Sequence, residues 1–193
     1  SKSSSRAVAD SSSPYIRAIA ASIKDFYRID LPDSNWDTIT VPSNWEIQGF
    51  GEPIIRNIQY VFSSNPPYID VDNPVGTYRR TFTVPRNWQE REVFLHFGSI
   101  SGYARIYVNG QQVGMTKASK TPAEFNVTNY LKEGENLLAV QIYRWHDGSY
   151  MEDQDFWRLT GIERDVFLQA YPKLTIWDFF LKSSLDSTYK NGI

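Results

Sequence analysis

The sequence predicts an all-β fold, two packed antiparallel sheets forming a jelly roll or a related β-sandwich. From Tyr78 onward, apolar residues recur with a period of two in short runs, as strands with one buried face require. Those runs are separated by Gly, Pro and Asn, the residues that tight turns select. The chain is also rich in rings, with 6 Trp, 12 Tyr and 11 Phe making 15% of it, a composition suited to sheet cores and to surfaces that stack on sugars. At 193 residues there is chain enough for one domain with a real core and a fragment of a second.

Residues 1–13 hold seven serines and no large apolar side chain; they are expected to form a disordered arm. Residues 14–27 place Ile19 and Ile23 at i,i+4 spacing, a weak signal for a short helix that competes evenly with irregular structure. Beyond them, Tyr78, Phe82 and Val84 share one strand face, with Arg79, Thr81 and Thr83 on the other, and Pro85 stops the run. Val93, Leu95 and Phe97 repeat the pattern up to Gly98, and Ala104, Ile106 and Val108 follow. Asn109-Gly110 then marks a hairpin, since both turn positions need positive φ, and Val113 lies on the return strand. Phe125 and Val127 open another strand, and the polar turn from Lys132 to Asn136 leads into Leu138, Val140 and Ile142. Val166 and Leu168 are the last inward pair before Pro172, which sets the domain as residues 14–171.

Composition excludes several classes of function. Twenty Lys+Arg against 22 Asp+Glu give a net charge of −2, which offers no electrostatic drive toward nucleic acid or an anionic membrane. No cysteine is present, and the two histidines are His96 and His146, so disulfides, thiolate chemistry and a multi-histidine zinc site are out of reach. The apolar runs are far shorter than the ~20 residues of a membrane span, and the first residues lack the apolar core of a secretory signal. A soluble protein of the cytoplasm or periplasm is expected.

Two segments resist the alternating pattern: the Pro- and Gly-rich stretch from Val41 to Gly76, and Trp145 to Gly161, where acids sit beside aromatic rings. Ordered loops of such length commonly carry function. Glu152, Asp153 and Asp155 suit the recognition of sugar hydroxyls beside aromatic faces, and equally suit loop capping and pairing with Arg158 or Arg164. Asn57, polar among apolar neighbours, reads on its own as a turn residue. Glycoside hydrolysis needs two carboxyl groups about 5 to 10 Å apart, and nothing in the spacing of these acids supplies that pair.

At these segments the chain resembles the amino-terminal sugar-binding domain of family 2 glycoside hydrolases, on the β-galactosidase side of the family. The matching blocks are VPSNWEIQGFGEPIIRNIQY (41–60), NPPYIDVDNPVGTYRRTF (65–82), the strand and hairpin YVNGQQVG (107–114), EGENLLAVQIYRW (133–145) and, most specific, DGSYMEDQDFWRLTGIERDVFL (147–168). The resemblance implies a galactose-binding-like jelly roll that lends loops to the active site of a TIM barrel bearing two catalytic glutamates, neither of them on this chain. Residues 172–193 resemble the opening of an immunoglobulin-like second domain. By position in the motifs, Asn57 and Asp155 match the family's substrate-contacting asparagine and aspartate, and Asp155 also matches a sodium ligand. A magnesium ion belongs to the barrel, and the fragment needs none. The implied partners are a β-galactoside, the other domains of the same polypeptide, and further copies in a homo-oligomer.

Two departures stand out. The family's L-N-G-x-W-x-F strand is missing, and PYIRAIAASI stands in its place; without that strand a sheet edge would lie open. Some relatives hold a further magnesium ion on the DGSY aspartate, here Asp147, with a glutamine, but Lys117 occupies the glutamine's position, so that site is not expected. The alternatives to an accessory domain of a β-galactosidase are a free-standing lectin-like carbohydrate-binding module and a purely structural sandwich.

Overall fold

The computed structural model describes residues 15–19, 23–54, 61–152 and 157–192. Its strands, in chain order, are β1 (Tyr15–Ile19), β2 (Asp37–Thr40), β3 (Ser43–Asn44), β4 (Val75–Thr83), β5 (Arg91–Phe97), β6 (Ile100–Ser101), β7 (Tyr103–Val108), β8 (Gln111–Thr116), β9 (Ala123–Asn126), β10 (Glu135–Tyr143), β11 (Gly161–Ile162) and β12 (Val166–Pro172). A six-stranded sheet runs β2-β1-β4-β10-β7-β8, and a three-stranded sheet β12-β5-β9 faces it. A small third sheet, β3-β11-β6, closes one end. Every described strand pairing is antiparallel. This is the jelly-roll-type sandwich that the alternating runs predict.

The core lies between the two larger sheets. Tyr78, Ala104, Ile106, Val108, Val140 and Ile142 meet Val93, Leu95, Phe97, Leu168 and Ala170 in one buried cluster. The inward sets of β5, β7 and β10 are those the period of two picks out, because a single face of each pleated strand can reach the opposing sheet. Asn109 and Gly110 have φ of 51° and 83°, so the β7–β8 hairpin turns where the Asn-Gly pair places it.

The outer face of the six-stranded sheet is also covered. Phe26 and Tyr27 lie over Tyr107 and Ala139, with the rings of Tyr27 and Tyr107 stacked at 4.6 Å. The segment carrying them is held by Arg79, only 3% exposed, whose guanidinium donates to the carbonyls of Phe26, Arg28 and Leu31 and to the Asp33 carboxylate. Membership of the polar face of β4 therefore does not mean exposure.

Two expectations need correction near the start of the chain. The weak helical spacing over residues 14–27 does not produce a helix there: Tyr15–Ile19 is a strand. It pairs with β2 on one side and β4 on the other, and two ladders of long-range hydrogen bonds outweigh a weak local helical preference. β1 therefore sits inside the sheet, and the edge that the missing motif would leave open is filled. The arm, residues 1–13, lies outside the described residues. Beyond Pro172 the described chain forms no ladder apart from one bridge between Leu185 and Gly192, and Leu174, Ile176, Phe179 and Phe180 are 82 to 94% exposed. Among the described residues no helix is long and apolar enough to cross a membrane.

Candidate functional site

The two irregular segments meet at one end of the sandwich, where β10 runs out. Directly after β10, the side chain of Asn73 brackets Trp145, accepting from its N–H at 2.9 Å and donating to its carbonyl at 2.8 Å. His146 caps the 3-10 turn Asp147–Tyr150: its Nδ1 accepts from the Gly148 N–H at 3.1 Å, while Ser149 Oγ accepts from the His146 N–H. The rings of Trp145 and Tyr150 pack edge-on against Phe62, and the Tyr150 hydroxyl lies against the carbonyls of Ser63 and Tyr68. The aromatic residues of the two loops thus fasten one loop to the other.

Beneath the loops is a buried ionic pair. Glu46 and Arg144 are 5% and 7% exposed, with Glu46 Oε1 3.6 Å from Arg144 Nη1. Glu46 Oε2 accepts from the Thr160 N–H at 2.9 Å. Arg144 donates from Nη1 to the Glu52 carbonyl at 3.2 Å and from Nη2 to the Arg158 carbonyl at 2.8 Å, and it lies over the Trp145 ring at 5.0 Å. Burial pushes the Glu46 carboxyl up from its ordinary range, opposed by the Thr160 N–H and Arg144. Burial likewise lowers Arg144, against the attraction of Glu46. Among the described residues, Glu46 Oε1, Arg144 Nε and the nearby Tyr78 hydroxyl find no hydrogen-bond partner.

Above this pair opens a cavity of about 290 Å³ whose walls include Lys120, Trp145, Met151, Glu152 and Trp157. That is close to the lower end of the range for small-molecule sites, roughly 300 Å³. Trp157 is 46% exposed and offers an apolar face. Glu152 has a structural role: its Oε1 accepts from the Ser119 N–H at 3.0 Å, and its other oxygen is 3.5 Å from His146 Nε2. Burial would raise its carboxyl, but the interactions with His146 and Ser119 prevail and hold it below the ordinary range. Lys117 Nζ stands 2.6 Å from Asp147 Oδ2, and that bond keeps the Asp147 carboxyl low.

Asn57, Asp153 and Asp155 lie outside the described residues; their loops are seen at the flanks. Ile54 and Arg158 form an antiparallel bridge, closed by a bond of 2.9 Å from the Arg158 N–H to the Ile54 carbonyl. Each bridging residue is three positions from its candidate, Ile54 ahead of Asn57 and Arg158 after Asp155. Among the described residues no three His, Cys, Asp or Glu side chains cluster as metal ligands. Sequence reasoning missed the Glu46–Arg144 pair, which neither spacing nor alternation signals.

Fold and site together define a β-sandwich domain with a recess of about 290 Å³, walled by residues of the 145–161 loop and by Ser101, Gly102, Ser119 and Lys120. Residues 10–172 match the family described as glycosyl hydrolases family 2, sugar binding domain, and the chain belongs to that family. It is 48% identical over 163 residues to a β-galactosidase of Vibrio cholerae, covering 84% of this chain and 16% of that protein. It is 43% identical over 175 residues to a β-galactosidase of Priestia megaterium, covering 88% and 17%. Among solved structures, a β-glucuronidase of Bacteroides uniformis aligns with a TM-score of 0.66 at 27% identity, covering 82% of this chain and 17% of that one. The chain thus spans about a sixth of the length of these relatives.

Proposed function

We propose that the chain serves as the sugar-binding domain of a retaining β-galactosidase, contributing Asn57 and Asp155 to an active site whose catalytic carboxylates lie on another domain of the same polypeptide. The observation that carries the reading is the Ile54–Arg158 bridge, which sets the flanks of the two motif loops side by side, with Arg158 in the wall of the cavity. Galactoside as substrate is supported by the relatives named β-galactosidase, at 43 to 48% identity over most of this chain; the structural neighbour named β-glucuronidase is more distant, at 27%.

In the retaining reaction, one barrel carboxylate attacks the anomeric carbon as the other protonates the departing oxygen. The second group then takes a proton from water, which displaces the first carboxylate. This chain's part is to hold the galactosyl hydroxyls. The Asn57 amide can donate and accept at once, and the Asp155 carboxylate accepts from a hydroxyl. A carboxylate oxygen also suits a hard cation, so Asp155 would serve as one ligand of a sodium ion at the substrate site. The magnesium ion of the same reading belongs to the barrel. The exposed apolar residues after Pro172 support an immunoglobulin-like domain that continues from residue 172.

The test is the full-length enzyme assayed with matched chromogenic β-galactoside and β-glucuronide. A kcat/KM at least about 100-fold higher for the galactoside, near the limit that simple pocket contacts give, is expected; equal use of the two, or preference for the glucuronide, refutes the assignment.

A further inference from the structure

One side chain touches the flanks of both motif loops. Arg144 follows the last residue of β10, so its backbone is anchored in the central strand pair of the large sheet, and its N–H donates to the Pro74 carbonyl at 3.0 Å. From that fixed point, Nη1 reaches the Glu52 carbonyl on the approach to Asn57, and Nη2 reaches the Arg158 carbonyl on the exit from Asp155. A guanidinium is a rigid planar fork, so two carbonyls bound to its two ends are held at a set separation and angle. Glu46 completes the frame by balancing the charge of Arg144 at 3.6 Å and by fixing the Thr160 N–H.

This arrangement is poorly explained as a source of stability. A buried ion pair returns little net free energy after desolvation, and among the described residues nothing hydrogen-bonds Glu46 Oε1 or Arg144 Nε, which lowers stability further. A fixed distance between two loops does explain it.

We infer that Arg144 is a positioning residue that sets the spacing between the flanks of the Asn57 and Asp155 loops, and that Glu46 holds it in orientation; the inference rests on the sugar-contact reading of Asn57 and Asp155. A lysine at 144 would keep the charge but could not span both carbonyls.

The experiment is a cycle in the full-length enzyme. Arg144→Lys should lower kcat/KM for a chromogenic β-galactoside by about 10- to 100-fold, the scale of an ångström-sized misplacement. In an Asn57→Ala/Asp155→Asn background the same change should cost less than about 2-fold, the small remainder expected of sites that no longer interact. An equal loss in both backgrounds, or no loss in the parent enzyme, overturns the inference. Should Arg144→Lys fail to fold, Glu46→Gln takes its place in the cycle: a loss confined to the parent background supports the inference, and an equal loss or none overturns it. If the Asn57→Ala/Asp155→Asn enzyme itself keeps its kcat/KM, it is the sugar-contact reading that fails, and the positioning role falls with it.

Discussion

Arg79 Nε donates to Asp33 Oδ2 at 2.9 Å, joining the middle of the largest sheet to the loop laid across its outer face. The same guanidinium satisfies three backbone carbonyls of that loop. Arg79→Met keeps much of the side chain's bulk but strands those acceptors and the carboxylate. The variant should lose about 3 kcal/mol, the cost of breaking a buried charged network from one side. Urea denaturation of the chain checks this. Arg86→Met is the control, its side chain being 88% exposed, and should stay within about 0.5 kcal/mol of the parent.

Glu46 sets a pH dependence of known sign. Its folded carboxyl titrates above the ordinary Glu range because of burial, so the folded state binds the proton more tightly than the unfolded state does. The associated stability is complete below the ordinary range and is lost as pH rises through the elevated value. In Glu46→Gln the group cannot ionise. The stability of the parent relative to Glu46→Gln should therefore fall as pH is raised from about 4 through neutrality, as read from urea midpoints across that series. A flat difference would mean that Glu46 titrates normally.

Among the acids of the 145–161 loop, Asp155 and Glu152 should behave oppositely. In the full-length enzyme Asp155→Asn should lower kcat/KM by about 10- to 100-fold, since a hydrogen bond to a charged group is worth about 1.5 to 3 kcal/mol, and should weaken the dependence on sodium. Glu152 already engages its carboxylate with Ser119 and His146. Glu152→Gln should therefore change kcat/KM by less than about 3-fold while lowering the denaturation midpoint by an amount in keeping with about 1 kcal/mol.

The chain by itself should not hydrolyse a β-galactoside. Retaining hydrolysis needs two carboxyl groups about 5 Å apart flanking the bond, and in the function proposed above that pair lies on another domain. Incubation of the purified chain with a chromogenic galactoside, compared with a mock purification from the same host, should give identical rates.

What the sequence reveals and what it hides follow the range of the interactions. Alternation identifies the inward sets of β5, β7 and β10, and Asn109-Gly110 identifies a hairpin, because each signal lies within a few neighbouring residues. β1 is hidden, since Tyr15–Ile19 becomes a strand through partners at residues 37–40 and 77–79 while its local spacing hints at a helix. Arg79 stands in sequence on a polar face, and only the loop folded over it makes it a buried anchor. Glu46 and Arg144 are each an ordinary charged residue in a run, and the pairing that gives them meaning is tertiary. The motif blocks carry Asn57 and Asp155 by resemblance, whereas the scaffold beneath their loops has no comparable signature.

The bond from Arg144 to the Glu52 carbonyl joins positions 92 residues apart, and that from Thr160 to Glu46 spans 114. Closing intervals of that length is entropically feasible only once the strands between them have assembled. The recess is consequently a late product of folding and a property of the whole sandwich. Neither loop excised as a peptide, nor either one grafted singly onto a foreign scaffold, would carry the geometry with it; a transplant would have to move both loops together with the strand end and the buried acid that pin them.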